Sequence, residues 1–276
     1  FVDTLTELLP AQDFRNGTAY TTVLLTVVKK KKVEQIPYVI TSTHERFKLD
    51  DKVLFNLGFF TSRYPYPEHR WSDHSLKEFL SGKAKADVRE VFEDIREEIR
   101  NYIDLGDEEW CDFLACWIIG TYFHRMFESY PYVFLHGNVE SGKTKTQTLI
   151  ALLAFNGELT FNSTPAYVIS AVHENSSTCC VDEAERLKES NDPSAQTVIS
   201  MYNQGYKKGA FCGKKEQVGN SKRWTSKKLD GFSPKVIANI KGLEGSLLSR
   251  CMTIVMSRSA NKEIRNREVS TSNPVF

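Results

Sequence analysis

The sequence predicts an α/β protein built on a mostly parallel sheet, and three observations lead there. From Pro131 onward, short apolar runs rich in strand-forming residues alternate with helical stretches, the pattern of parallel strands joined by crossover helices. One such run, Tyr132–Leu135, leads straight into a glycine-containing loop and a helix start. Another, Thr178–Val181, ends in two acids, Asp182 and Glu183. With 276 residues, 41% hydrophobic and 26% charged, the chain can bury a core without disulfide or metal staples.

Taken in order, residues 1–70 read as a small β-rich module. Tyr20–Val28 is rich in Thr and Val, which suit a pleated surface, and Ile36–Thr41 reads as its hairpin partner. Lys29–Lys32 between them is a charged turn, either a solvated loop or a phosphate contact. Pro65 and Pro67 punctuate the chain, and residues 71–130 form a helical connector. Val88, Val91, Phe92, Ile95, Ile99, Tyr102 and Ile103 recur at helical spacing. Gly106 stops that helix and Asp107 caps the next. The second helix, carrying Trp110, Phe113, Leu114, Trp117, Ile118, Phe123 and Phe127, is apolar nearly all round and is expected to be buried. The acids between Asp87 and Glu109 read as a solvated face. The sheet is expected from Tyr132–His136, Glu158–Phe161, Thr178–Asp182, Lys235–Ile240 and Cys251–Met256, within a core spanning 131–258 and followed by a tail, 259–276.

Composition excludes several classes. Thirty-six Lys and Arg against 35 Asp and Glu rule out an overall polybasic or acidic protein. Six cysteines without a C-x-x-C pair read as buried free thiols in a reducing, cytoplasmic setting and not as a zinc site. There is no signal peptide, and no apolar run approaches the roughly 18 residues of a membrane span. The start at Phe1 suggests an excised fragment.

The chemistry concentrates in Gly137-Asn138-Val139-Glu140-Ser141-Gly142-Lys143-Thr144, which fits G-x-x-x-x-G-K-[ST]. Glycines let backbone N–H groups curl round phosphates, and the following helix N-terminus favours an anion. Lys143 would reach the β- and γ-phosphates of ATP, and Thr144 would place a hydroxyl on Mg²⁺. Asp182, 38 residues beyond Thr144, would hold Mg²⁺ through water, and Glu183 would polarise the attacking water. Asn239 ends the strand Lys235–Asn239 and either orients water with its amide or makes an ordinary turn. Arg250 precedes the last strand, as a finger reaching a neighbouring subunit's nucleotide or as a structural ion pair.

Together these residues resemble an AAA+ P-loop ATPase over about residues 107–258. Gly137–Thr144 is similar to Walker A, Thr178–Glu183 to Walker B, Asn239 to sensor 1, and Ser249-Arg250 to the finger position of minichromosome-maintenance-type helicases. Asn203–Gly209 and Phe232–Asn239 resemble superfamily III-like helicases of plasmids, phages and mobile elements. The resemblance implies a five-stranded parallel sheet of order 5-1-4-3-2 and a homo-oligomeric ring, a hexamer, acting on single-stranded or forked DNA. It leaves replication partners of residues 1–70 open. It also implies a helical lid, for which Ser257–Phe276 is too short, so no sensor arginine is assignable among Arg258, Arg265 and Arg267 and low isolated activity is expected.

Between Tyr206 and Asp230 lie eight cations against two acids. Gly209–Lys214 and Arg223–Lys227 read as two strands around a turn at Val218–Lys222. In ring helicases of the resembling type a hairpin here grips DNA. Lys214, Lys215, Lys222 and Arg223 would neutralise phosphates, and Trp224 either stacks on a base or anchors the hairpin. A solvated loop and a protein interface are the other readings of the segment. For the whole chain, the helicase stands beside two alternatives, an initiator or loader switch and a protein remodeller.

Overall fold

The computed structural model describes residues 5–29, 32–68, 70–160, 164–181, 193–217, 224–240, 242–243 and 245–270. The chain divides into two compact units, Phe1–Asp87 and Val88–Phe276. The division falls beyond the Pro65/Pro67 punctuation, so the first helix of the expected connector groups with the N-terminal unit.

In the N-terminal unit, β1 (Thr6–Glu7) pairs in parallel with β6 (Phe59–Phe60). β2 (Gln12–Arg15), β3 (Thr18–Lys29), β4 (Lys32–Thr41) and β5 (Arg46–Lys48) form an antiparallel sheet in that order. The expected hairpin is present, with Lys29 opposite Lys32; Lys30 and Lys31 lie outside the described residues. Helix α1 (Asp51–Asn56) starts where the Asp50 side chain accepts from Lys52 N, and α2 (Asp73–Leu80) where Ser72 accepts from Ser75 N. Leu76 of α2 buries against Val23 and Ile40 of the sheet.

The second unit opens with α3 (Val88–Tyr102), which turns Ile95, Ile99 and Tyr102 inward. Gly106, at φ +75°, breaks the chain after it, and the Asp107 carboxylate accepts from Glu109 N to start α4 (Glu108–Thr121). The acids of this pair of helices face solvent in ion pairs such as Arg100–Glu108 and Arg96–Glu93. Leu114, Ala115, Trp117 and Ile118 are buried as expected. Two aromatics are not: the α-helix ends at Thr121, a short 3₁₀ turn follows at His124–Met126, and Phe123 and Phe127 stand 42% and 46% exposed. The turn redirects the chain and spends its burial on His124 and Arg125 instead.

Five strands then build a wholly parallel sheet. They are β7 (Tyr132–Gly137), β8 (Gly157–Thr160), β9 (Thr178–Val181), β12 (Lys235–Asn239) and β13 (Cys251–Met256), lying side by side as β13-β7-β12-β9-β8. All five match the expected runs to within a residue or two; Phe161 and Asp182 lie outside the described residues. The intervening helices are α5 (Lys143–Leu153), α6 (Pro165–Asn175), α7 (Pro193–Gln204) and the short α8 (Gly245–Leu248). Both faces of the sheet are covered, as parallel sheets require. Val133, Leu135, Val236, Ala238 and Ile254 pack with α4 and α5 residues, whereas Tyr132, Phe134, Val181 and Ile237 pack with Val198 and Tyr202 of α7. An antiparallel hairpin, β10 (Phe211–Gln217) and β11 (Trp224–Asp230), is inserted before β12, and a last short helix, α9 (Lys262–Asn266), follows β13.

All six cysteines are free; four are buried, but Cys116 is exposed and Cys251 only half-buried, so the expectation of buried thiols holds in part. No helix among the described residues is long and apolar enough to cross a membrane.

Candidate nucleotide site

The site begins where β7 ends. A side chain on Gly137 would put its Cβ 2.4 Å from the Met256 carbonyl oxygen and 2.7 Å from Ser141 Oγ, so only glycine lets the loop turn this close to β13. The loop then passes through two left-handed residues, Glu140 at φ +62° and Gly142 at φ +90°. Gly142 is the N-cap of α5, and no side chain caps that helix. The first turn of α5 therefore keeps the partial positive charge of its backbone N–H groups for something other than its own cap.

Lys143 folds back over the loop. Its ammonium donates to Gly137 O at 2.8 Å and Asn138 O at 2.7 Å, with Ser141 Oγ at 3.4 Å, and the residue is only 9% exposed. These partners are neutral, so a nearly buried positive charge sits in the loop without a carboxylate among the described residues. An anion with several oxygens is the ligand such a loop can hold.

Beside the loop is a cavity of about 290 Å³. Glu140–Lys145 form one wall, the end of α3 at Tyr102–Asp104 a second, and the segment Met256–Arg265 a third. The third wall is tied down: Ser259 Oγ donates to Asp104 Oδ2 at 2.6 Å, Lys145 Nζ to Ile264 O at 2.6 Å, and Arg267 Nη1 to Asn101 O at 3.0 Å. Burial, and then the charge of Arg267, hold the Lys145 ammonium below its usual range. Arg258 pairs with Glu140 of the loop at 3.2 Å, both side chains being exposed. Of these wall residues, Glu140–Thr144 carried the motif and Arg258, Arg265 and Arg267 could be given no role from the sequence, whereas Ser259 and Ile264 were not singled out. They share no motif, and only the return of the chain after β13 brings them to the loop.

The sheet register collects the other candidates at one edge. Val181, Ile237 and Phe134 lie in one row, and Asn239 lies opposite His136, next to the start of the loop. The end of β9, Asn239 and Gly137 thus share the C-terminal edge where open α/β sheets bind ligands. Asp182 and Glu183 follow β9 directly but lie outside the described residues. Asn239 is buried, and its Nδ2 donates to Gly242 O at 3.1 Å within the next turn.

Arg250 is not brought to this edge. It precedes β13, whose other end meets the loop, so it lies about a strand length, roughly 20 Å, away. Its guanidinium packs 4.8 Å from the Tyr206 ring centre and 3.5 Å from Asn203 Oδ1, with no carboxylate partner among the described residues.

The hairpin is longer than the sequence suggested, seven residues on each strand, with Lys214 opposite Lys227 and Gln217 opposite Trp224. Lys222 and Arg223 lie outside the described residues, Lys215 is exposed, and Trp224 is 65% exposed. That exposure removes the anchoring role for Trp224. The anchor is at the root instead: Cys212 and Leu229 pack with Val172, Cys179 and Met201, and Asp230 forms a buried ion pair with Arg125 at 2.6 Å. Comparison with protein-family models and with curated proteins returns no match for this chain.

Proposed function

We propose that the chain is an ATP-hydrolysing AAA+ module that works on DNA as a ring-forming helicase or translocase. The observation that carries the reading is α5, without a side-chain cap, opened by Gly142 and preceded by a loop in which a nearly buried Lys143 is held, among the described residues, by neutral oxygens. Phosphates would replace the two carbonyls as partners of Lys143, and the N–H groups of the first turn would face them. The strand order supports the AAA+ assignment, since numbering the core strands along the chain gives 5-1-4-3-2.

The donor chemistry suits Mg²⁺, a hard cation that prefers oxygen ligands: the Thr144 hydroxyl in the first turn of α5, and the carboxylate of Asp182, the residue that follows β9 in the sequence. When bound there, the ion would neutralise charge on the phosphates. Glu183 would take the proton of the attacking water, and Asn239 would hold the edge beside it. The cavity next to the loop has the size and the mixed apolar and polar lining of a subsite for the nucleoside. Arg250, remote from its own loop and without an ion pair among the described residues, would serve the nucleotide of a neighbouring copy.

The basic hairpin with its exposed Trp224 supports nucleic acid as the cargo. Hydrolysis measured with and without single-stranded DNA tests this reading. DNA is expected to raise turnover, and Lys222→Ala/Arg223→Ala to abolish the rise while basal hydrolysis remains. A wild-type protein that binds no DNA at low salt overturns the helicase reading. DNA-stimulated turnover without strand displacement would mark an initiator or loader, and stimulation by polypeptide alone a remodeller.

A further inference from the structure

In the N-terminal unit, the antiparallel sheet has one face that the chain covers only in part. The register places Val23, Leu25 and Val27 of β3 on the same face as Tyr38 of β4 and Arg46 of β5. Helix α2 packs Leu76 on that face, against Val23 and Ile40. The helix has 8 residues, about 12 Å, and β3 has 12, roughly 40 Å, so much of the face extends beyond it. There the strands and α2 enclose an open groove of about 790 Å³. Leu25, Val27, Tyr38 and Leu80 line it half-buried, and Val28 stands 70% exposed at its margin. The solvated face of an antiparallel sheet ordinarily carries polar side chains; this one carries leucine, valine and tyrosine. Apolar side chains at the bottom of an open groove mark a surface that another chain covers.

The rim of the groove is cationic. Arg46 of β5 and Lys77 of α2 both line it and are exposed. The acid that lines it, Asp73, is already engaged, its Oδ1 accepting from Thr26 Oγ1 at 3.2 Å. A chain that fills the groove therefore combines an apolar stripe with negative charge beside it. A helix has that form, and a helix is the layer against which a sheet face buries. Single-stranded nucleic acid matches the groove less well. Its sites stack bases on aromatic faces, whereas this floor is aliphatic apart from Tyr38, and the His44 ring packs on Phe79 at 4.8 Å. We infer that the groove docks an acidic amphipathic helix of a partner protein. Its apolar side seats on Leu25, Val27, Tyr38 and Leu80, and its carboxylates face Arg46 and Lys77.

The test uses the intact chain and fluorescent peptides of about 15 residues, long enough to form a helix. One carries leucines at helical spacing with glutamates elsewhere and a photo-cross-linker on its apolar side. In the controls, serine replaces the leucines or lysine replaces the glutamates. By anisotropy, the leucine–glutamate peptide is expected to bind about tenfold tighter than either control, and Arg46→Glu/Lys77→Glu to lose about tenfold of that affinity. On the wild type, which needs no substitution, its cross-links are expected on β3, β4 or α2. A wild type that binds none of the peptides, equal affinity for the serine peptide, affinity unchanged in the double variant, or cross-links on β10 or β11 each overturn the inference. So does a single-stranded oligonucleotide that binds the wild type and is released by the same two substitutions, because the groove then holds nucleic acid. The groove belongs to the other unit from the glycine loop, so each of these results leaves the ATPase reading standing.

Discussion

His124 shows what one buried side chain commits the chain to. Its Nδ1 is 3.0 Å from Thr121 O, so the neutral ring carries its proton there, and it packs against Tyr130 and Phe232. Burial, and then the neighbouring charge of Arg125, push its pKa down to about 3 from the usual 6.5. The folded chain therefore refuses a proton that the unfolded chain accepts below pH 6.5. Stability is complete above that pH and falls as pH drops toward 3, by at most about 5 kcal/mol from this residue. His124→Phe is expected to flatten the acid limb of a urea-unfolding series between pH 6.5 and 4; an unchanged slope contradicts the assignment. Lys235 gives the opposite limb. It is enclosed by Gly231 O, Ser233 O and Ser233 Oγ at 3.0 to 3.1 Å and lies 4.9 Å from the Tyr132 ring centre. Burial lowers it to about 8, so the folded chain releases this proton before the unfolded one does and its contribution to stability rises from pH 8 toward 10.5. Lys235→Met is expected to remove that rise relative to wild type.

Among the elements, the hairpin β10–β11 joins an exposed stretch at Lys215 and Trp224 to a buried root. Arg125 pairs with Asp230 at 2.6 Å and donates to Ser176 Oγ at 3.1 Å, while Asp230 Oδ1 accepts from Phe232 N at 2.9 Å. Removing one partner leaves the other charge buried, so Asp230→Ala is expected to cost about 3–5 kcal/mol in denaturant unfolding, whereas Arg125→Met/Asp230→Asn costs less than the sum of its single changes. Additive costs would show that the pair is not coupled. The parallel strands, the loop and the Gly106–Asp107 helix boundary were legible because each depends on local chemistry: apolar runs, a required left-handed residue, a cap. The root of the hairpin was not. Arg125 and Asp230 are 105 residues apart, and no pattern marks a polar pair that only tertiary packing joins. The exposure of Phe123 and Phe127 escaped for the same reason, since helical spacing says which residues share a face but not where tertiary contacts end the helix. At the site, the loop and the strand-end acids carried a motif; the walls supplied by the end of α3 and by the segment after β13 carried none.

Taken whole, the chain separates its charges. The near-neutral total of +1 combines an acidic helical face with a cationic hairpin, so net charge alone says little about what it binds. It also separates the residues proposed to act together, with the glycine loop at one end of β13 and Arg250 at the other. If Arg250 acts on a neighbour, Lys143→Ala and Arg250→Ala should each abolish turnover alone, while their mixture regains part of it through subunit pairs that hold an intact loop beside an intact arginine. A mixture as inactive as its components contradicts action between subunits. The central claim, that this loop and the acids after β9 hydrolyse ATP, is tested most directly by Glu183→Gln measured for both nucleotide binding and Mg²⁺-dependent turnover. The account predicts wild-type affinity for ATP with turnover reduced to background. Turnover equal to wild type, or a wild-type chain that does not bind ATP, would contradict it.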